Sequence, residues 1–123
     1  LVCLVGSEMC IRDSSNTIYA ATKGSILSMT KTASQELGKY NINVNSICPS
    51  PTYTDIVKKL VTKRAKEQKK SEKEIMDYYM RDVPLGRFND PDDIASMVIF
   101  LSSSGARNIT GQSFNVDGGL IPS

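Results

Sequence analysis

The stretch NDPDDIASMVIFLSSSGARNITGQSFNVDGG, residues 89–119, shows most clearly how this chain folds. Asp90 is a suitable N-cap, Pro91 takes the first helical position, and acidic residues follow, which together predict the start of a helix. After the apolar run, Phe114 and Val116 alternate with polar residues, and a glycine pair follows. This alternation predicts a final strand with Phe114 and Val116 facing the core.

An earlier helix is predicted from a cap at Asn16 or Thr17 to a stop at Gly38, because apolar residues recur there at steps of three and four. Its buried face would hold Ile18, Ile26, Met29, Ala33 and Leu37. The next segment, NINVNSICP, residues 41–49, is rich in β-forming residues and is predicted to be a strand.

The polar region after this strand is predicted to form one or two solvated helices, capped by Asp55 and interrupted by Pro84 and Gly86. Its inward-facing residues would be Ile56, Leu60, Ile75 and Met76. Helices that alternate with strands indicate parallel strands joined by crossover helices, which is an α/β fold.

The composition fits one packed domain, with 123 residues, 40% hydrophobic and 23% charged. Histidine is absent, which excludes His-based catalytic triads, HExxH sites and imidazole metal ligands. No apolar run approaches the roughly 20 residues that cross a bilayer, so no membrane partner is expected. The three cysteines, Cys3, Cys10 and Cys48, lack CxxC spacing and favour a reducing, cytoplasmic compartment over a disulfide framework or a zinc site.

Positive charge is concentrated in residues 58–74, which hold eight Lys or Arg against three Glu, whereas the whole chain carries a net charge of +2. Such a cluster is one mark of a nucleic-acid surface. The lysines, however, alternate with Glu in helical fashion and have no interleaved aromatic residue before Tyr78. A solvated helix face is therefore favoured, and no nucleic-acid partner is expected.

The segment Asp117, Gly118 and Gly119 is predicted to be a structural turn, because one carboxylate is too few for a metal site.

The first fourteen residues, LVCLVGSEMCIRDS, leave two interpretations open. The apolar run at the start is consistent with a buried strand, whereas SEMCIRDS resembles the translated junction of a sequencing adapter. A signal peptide is not favoured, because no basic residue precedes the apolar run. Residues 1–14 are therefore treated as a doubtful leader and residues 15–123 as the folded unit.

Tyr19 and Lys23, in the segment YAATK, are four residues apart and therefore lie on neighbouring turns of one helix face. A phenol exchanges protons poorly at neutral pH, but a nearby ammonium favours the phenolate and lowers the pKa of the phenol. The pair is a candidate for exchanging a proton with a carbonyl or carbinol oxygen. The spacing alone is common, and a solvated pair is the alternative.

Two long segments, taken with their order and spacing, resemble the short-chain dehydrogenase/reductase family. They are YAATKGSILSMTKTASQELGKYNINVNSICPSPTYTD, residues 19–55, and PLGRFNDPDDIASMVIFLSSSGARNITGQSFNVDGG, residues 84–119. The resemblance runs from about Ser15 to the C-terminus. It implies an α/β fold, the C-terminal half of a Rossmann-type doubly wound parallel sheet.

The resemblance also implies roles for individual residues. Tyr19 matches the general acid/base of the family, and Lys23 matches the lysine that binds the nicotinamide ribose and lowers the pKa of the tyrosine. Pro49 and Thr54 match the segment whose backbone and threonine hold the nicotinamide carboxamide. Thr52 aligns with the residue whose main chain meets that carboxamide.

This sequence departs from the family at two places. The usual Pro-Gly is replaced by Pro49-Ser50, with Pro51 next, which has no amide hydrogen to donate. The catalytic serine of the family has a single candidate at the right distance, Ser7, which falls in the doubtful leader. The Gly-rich turn that holds pyrophosphate is not within these residues, so the chain is interpreted as half of a longer subunit.

The resemblance implies an oxidoreductase that uses NAD or NADP and transfers hydride to or from a small-molecule carbonyl or alcohol substrate. Candidate substrates are 3-oxoacyl thioesters and sugars or other alcohols. The full-length protein would be a homotetramer or homodimer, because the helix of Tyr19 and the C-terminal strand region commonly build subunit contacts in this family. The basic segment would cover the substrate pocket and attract an anionic substrate or acyl carrier. The alternative is a catalytically inactive, truncated subunit that acts only as an association module.

Overall fold

The computed structural model describes residues 2–5, for their backbone, and residues 17–121. These ranges form three strands and four α helices. In chain order they are β1 (Val2–Val5), α1 (Thr17–Leu37), β2 (Val44–Pro49), α2 (Asp55–Gln68), α3 (Glu72–Met80), α4 (Pro91–Leu101) and β3 (Ser113–Val116). Short 3-10 turns follow α1 at Gly38–Tyr40 and α4 at Ser104–Ala106.

The three strands form one parallel sheet in the order β1-β2-β3. Val2 pairs with Val44, and Ser46 pairs with Ser113. Because parallel strands require long return connections, α1 runs back between β1 and β2, and α4 does so between β2 and β3. The predicted α/β fold with parallel strands is confirmed, and the arrangement is of the Rossmann type.

The sheet is covered on both faces. On one face Ile47 of β2 packs with Leu101 of α4 and Ala106, and Phe114 and Val116 of β3 join this cluster, as predicted. Helix α1 contacts β2 but contributes no residue to this cluster, so it covers the opposite face. The central strand β2 is therefore buried between the two helices, as expected for a parallel sheet.

The predicted buried face of α1 is wrong in part. Ile18 is 82% exposed and Met29 is 57% exposed, whereas Thr30 and Ser34 are buried. Their hydroxyls donate to the backbone carbonyls of Ile26 and Lys31, at 2.8 and 2.7 Å, so burial leaves no polar group unpaired. A surface of small, internally satisfied side chains lets the helix approach the sheet closely.

Helix α1 also lies close to Gly111, which is in the loop before β3. Gly111 has φ +72°, and a Cβ on it would lie 2.7 Å from Ser34 Oγ. We expect Gly111→Ala to lower the free energy of unfolding by about 1–3 kcal/mol, since both the backbone and the contact are strained. Denaturant unfolding measures this effect. The control is Gly38→Ala, which would meet no atom within 4 Å and is expected to change little; equal losses in both variants would contradict the explanation.

Helices α2 and α3 pack on each other through a second apolar cluster of Val61, Ala65 and Ile75. The prediction of Ile75 as an inward residue is confirmed, but Ile56 and Leu60 are exposed. Helix α2 is capped by Thr54, whose Oγ1 accepts from Val57 N–H at 3.5 Å, and not by Asp55, which was the predicted cap. Packing against α3 buries the face of α2 that carries Val61 and Ala65. The periodicity of apolar residues in the sequence did not identify this face.

The strand predicted over residues 41–49 is confirmed but begins later, at Val44, because Asn41 takes a left-handed conformation after the 3-10 turn. The predicted start of α4 and the predicted turn after β3 agree with the structure. Asp90 caps α4 in a capping box with Asp93, and Pro91 is the first helical residue. The turn after β3 is structural, because Asp117 accepts from the amides of Gly119 and Ile121 at 2.9 and 2.8 Å.

Candidate active site

Tyr19 and Lys23 lie on the first two turns of α1, at the carboxyl edge of the sheet. This placement follows from topology: α1 returns the chain from the carboxyl end of β1 to the amino end of β2, so its first turn lies at the carboxyl edge. In open α/β sheets this edge is where ligands bind. The predicted pair therefore lies where a site of this fold class is found.

The two side chains are in contact. Lys23 Nζ lies 5.5 Å from the centroid of the Tyr19 ring, and Tyr19 is 41% exposed. An ammonium at this distance is attracted to the ring face. The contact holds the two predicted residues side by side on α1.

The loop that follows β2 is at the same edge. Pro49 ends β2 opposite Val116, and the ladder continues one step further, with Ser50 N–H donating to Val116 O at 3.2 Å. Thr52 pairs with Asn89 in a parallel bridge. The predicted binding residues Pro49, Thr52 and Thr54 therefore lie together beyond the carboxyl end of one strand, although Thr54 Oγ1 already accepts from Val57 N–H as the α2 cap.

Asn89 holds this loop in place, and sequence reasoning did not identify it. Its N–H donates to Pro51 O at 3.1 Å, its C=O accepts from Tyr53 N–H at 2.8 Å, and its side-chain amide donates to Val116 O. It is 7% exposed. No pattern in the sequence singles it out, because one asparagine beside a helix cap is common in loops.

One polar group of the loop lacks a hydrogen-bond partner among residues 2–5 and 17–121. It is Ser50 Oγ, which is buried. Buried polar groups are nearly always paired, so such groups call for an explanation.

The lysines of α2 form an exposed, basic helix face. Some are paired along the helix, with Lys58 Nζ 3.1 Å from Asp55 Oδ1 and Lys63 Nζ 3.8 Å from Glu67 Oε1. A shallow groove of about 460 Å³ runs along this face, lined by Lys58, Lys59, Thr62, Lys63 and Lys66. The arrangement agrees with the solvated face favoured by the sequence.

The shifted pKa values found in the described part of the chain lie on α3 or beside it. Hydrogen bonds from Ser71 hold the pKa of the Glu74 carboxyl below its usual range. Hydrogen bonds to Asp77 and Asp82, together with the negative charge of these residues, raise the pKa of Lys73 and of Arg81. All three groups are solvent-exposed and belong to helix caps and surface pairs.

Ser7, the predicted catalytic serine, lies outside the described residues. Within those residues no group of three His, Cys, Asp or Glu side chains is arranged to hold a metal ion. None of the described helices combines the length and apolarity needed to cross a membrane.

The parallel sheet, covered by helices on both faces, defines the class of this protein as a Rossmann-type α/β domain. Residues 2–121 match the family model described as enoyl-(acyl carrier protein) reductase. The chain therefore belongs to the short-chain dehydrogenase/reductase family.

Individual relatives agree with this assignment. A 3-oxoacyl-(acyl-carrier-protein) reductase of Thermotoga maritima is 38% identical over 105 residues, which are 85% of this chain and 38% of the relative. An L-rhamnose 1-dehydrogenase (NAD(P)(+)) of Azotobacter vinelandii is 37% identical over 118 residues, which are 96% of this chain and 40% of that protein. The chain thus spans about 40% of the length of these curated relatives.

The crystal structure of a short chain dehydrogenase family protein from Francisella tularensis superposes with a TM-score of 0.87 at 36% identity. The superposition covers 96% of this chain and 50% of the other. The resemblance stated from the motifs is therefore confirmed at the level of the family and the fold.

Proposed function

We propose that this chain is the catalytic half of an NAD(P)-dependent oxidoreductase that transfers hydride between a nicotinamide and a carbonyl or alcohol substrate. The observation that carries the proposal is the contact of Lys23 Nζ with the Tyr19 ring, at 5.5 Å, at the carboxyl edge of the sheet. The full-length subunit is defined as this chain together with the amino-terminal half that its relatives possess.

Tyr19 is the proton donor and acceptor of the proposed reaction. In reduction its hydroxyl gives a proton to the carbonyl oxygen of the substrate, and in oxidation its phenolate takes the proton of the alcohol. Lys23 stabilises the phenolate by its charge. The dinucleotide, when bound, supplies or accepts the hydride.

The loop after β2 supports the binding of a nicotinamide. Pro49, Thr52 and Thr54 would hold it by family resemblance, together with Lys23. The Gly-rich pyrophosphate turn is not among these 123 residues, so the choice between NAD and NADP belongs to the other half.

The proposed substrates are 3-oxoacyl thioesters, or sugars and other alcohols, as the names of the two curated relatives suggest. The full-length subunit should oxidise NADH or NADPH with a 3-oxoacyl thioester, or reduce NAD or NADP with a sugar such as L-rhamnose. The change in nicotinamide absorbance measures either reaction. Failure to bind any dinucleotide would instead favour the inactive association module. A cytoplasmic location is part of the proposal, because the three cysteines of the sequence lack CxxC spacing and do not suggest a disulfide framework.

We also propose that the full-length subunit forms a homodimer or homotetramer. The support comes from apolar side chains on the outer side of α4, where Ile99 is 70% exposed and Phe100 is 47% exposed. Clustered exposed apolar residues mark association surfaces.

In the full-length subunit, Ile99→Glu is expected to shift the sedimentation coefficient toward that of the monomer, because a carboxylate would be desolvated in the interface. The control is Ile56→Glu, at a similarly exposed isoleucine of α2, which should leave the oligomer intact. An unchanged assembly with Ile99→Glu would rule out this part of α4 as the interface.

A further inference from the structure

Positive charge is concentrated on helix α2 and the two residues after it. Residues 55–70 hold seven Lys or Arg and two acidic residues, a net charge of +5, whereas the whole chain has a net charge of +2. The rest of the chain therefore has a net charge of −3. Such an asymmetry attracts an acidic partner to one side of the molecule.

The α2 groove is the shallow groove on the exposed face of this helix, with a volume of about 460 Å³. It is lined by Lys58, Lys59, Thr62, Lys63 and Lys66. Two of these lysines pair with acidic residues along the helix. Among residues 17–121, no acidic side chain lies within ion-pair distance of Lys59 or Lys66. Two ammonium groups of the groove therefore remain available to an anionic partner.

The stability of the fold does not account for this row of lysines. Lys59, Lys63 and Lys66 are spaced by four and three residues, so they lie along one helix face, where like charges repel and destabilise the helix. The packing of α2 on α3 uses the opposite face, through Val61 and Ala65. Solvation explains why the lysines are exposed, but it does not explain why the α2 groove contains no carboxylate.

The α2 groove begins beside the candidate site. Thr54 caps α2 directly after the loop that follows β2, so the first turn of α2 lies at the carboxyl edge of the sheet. Lys58 is at this end of the groove, and its Nζ is 5.1 Å from the ring centroid of Tyr53, which belongs to that loop. At about 1.5 Å per residue, the groove extends about 12 Å along the helix to Lys66. A partner seated in it would lie next to the edge that carries the Tyr–Lys pair.

We propose that the α2 groove is the docking surface for an acidic acyl carrier protein, which presents its bound 3-oxoacyl thioester to the carboxyl edge of the sheet. This inference rests on the proposed function, whose candidate substrates include 3-oxoacyl thioesters. The carrier protein supplies the carboxylates that Lys59 and Lys66 lack in the described chain.

The shape and chemistry of the α2 groove favour a protein over a small anion or a nucleic acid. The groove is open and elongated, which suits the acidic face of a partner helix. Its cations are all lysines, which act as point charges and lack the bidentate geometry with which arginine grips a phosphate. It is lined by no aromatic side chain on which a base could stack.

The test presents one acyl group on two carriers to the full-length subunit. The acetoacetyl group is supplied as the thioester of an acyl carrier protein and as the uncharged thioester of N-acetylcysteamine. Lys59→Glu/Lys66→Glu is expected to raise the KM of the carrier-protein thioester about tenfold or more, because both charges would repel the acidic partner. The variant should leave kcat for both thioesters, and the KM of the N-acetylcysteamine thioester, within about twofold.

A matched control changes the net charge by the same amount elsewhere. Lys31 and Arg107 are exposed residues outside α2, so Lys31→Glu/Arg107→Glu should leave the KM of the carrier-protein thioester within about twofold. At an ionic strength of about 1 M, where the Debye length falls to about 3 Å, the parent and the α2 variant should have similar KM values.

A binding measurement makes the test independent of the dinucleotide. Titration of the fluorescently labelled carrier protein without its acyl group, followed by anisotropy, measures the Kd of docking. Lys59→Glu/Lys66→Glu should raise this Kd by the same factor as the KM. The Tm of the variant should equal or exceed that of the parent, because the substitutions relieve repulsion between like charges.

The inference would be overturned by an unchanged KM for the carrier-protein thioester in the α2 variant, or by an equal rise in KM for both thioesters. It would also be overturned if single-stranded DNA or the coenzyme A thioester lost as much affinity as the carrier protein, since the groove would then attract any anion. A subunit that oxidises a sugar and reduces neither thioester would overturn this inference alone. A subunit that reacts with no carbonyl or alcohol substrate would overturn the proposed function, so the two failures are distinguishable.

Discussion

Tyr19→Phe in the full-length subunit is expected to lower kcat by about 10²- to 10⁴-fold, while the Kd of the dinucleotide stays within about threefold. The substitution removes a single oxygen atom, and the ring remains beneath the Lys23 ammonium. If Tyr19 transfers the proton, hydride transfer then has to proceed with no group to protonate the developing alkoxide. Stopped-flow measurement of the chemical step, together with dinucleotide titration, separates this loss from weaker binding.

A second tyrosine of the chain supplies a closely matched control. Lys39 Nζ lies 5.0 Å from the ring centroid of Tyr40, which resembles the geometry of the Tyr19–Lys23 pair. Tyr40 follows the C-terminal end of α1 and is therefore at the opposite end of that helix from Tyr19. Tyr40→Phe should leave kcat unchanged. Parent-like turnover by Tyr19→Phe would refute the assignment of Tyr19 as the acid/base.

Lys23→Met is expected to lower kcat at neutral pH by about 10-fold or more and to displace the pH profile of alcohol oxidation to higher pH. Oxidation needs the phenolate, and a nearby positive charge favours that form. Removing the charge raises the pH at which the phenolate forms, so the rising limb of the profile should move up by about one pH unit or more. Methionine keeps most of the length of the side chain and so preserves its packing.

The pH profile distinguishes an electrostatic role for Lys23 from a structural one. A purely structural loss would lower the rate at every pH and leave the shape of the profile unchanged. The control is Lys39→Met, which removes the lysine of the second pair and should leave both the rate and the profile as in the parent. A profile that is lower but not displaced would show that Lys23 does not tune the proton transfer.

The order of elements and most of their boundaries could be predicted from the sequence. The start of α4 at Pro91 was recognisable because a cap, a proline and acidic residues occupy consecutive positions, and each acts through local backbone geometry. The strand β3 was recognisable from the alternation of Phe114 and Val116. Such signals depend only on residues that are near one another in the chain.

The faces that helices bury were predicted less well. In α1 the apolar residues Ile18 and Met29 are exposed, whereas Thr30 and Ser34 are buried. An apolar stripe indicates burial only when a surface of matching shape is opposite it. Here the contact requires small side chains whose hydroxyls bond to their own helix, and the Gly111 loop comes close to them.

The residues of the candidate site also fall into two groups, those that the sequence predicted and those that only the packing revealed. Tyr19 and Lys23 could be selected because their spacing places them on one helix face, and this face is a property of the helix alone. The burial of Ser50 could not be predicted, because it depends on the packing of the β2–α2 loop against other parts of the chain. Asn89 is likewise distant in sequence from the two segments that it joins.

By itself, the amino-acid sequence determined the alternation of helices and strands, the parallel α/β class, the resemblance to a family and the spacing of the Tyr–Lys pair. All of these depend on short-range backbone preferences and residue periodicity. Only the tertiary structure decided which helix faces are buried and that Asn89 holds the loop after β2 in place. Those properties depend on contacts between residues far apart in the chain, and such contacts exist only once the sheet has brought the segments together.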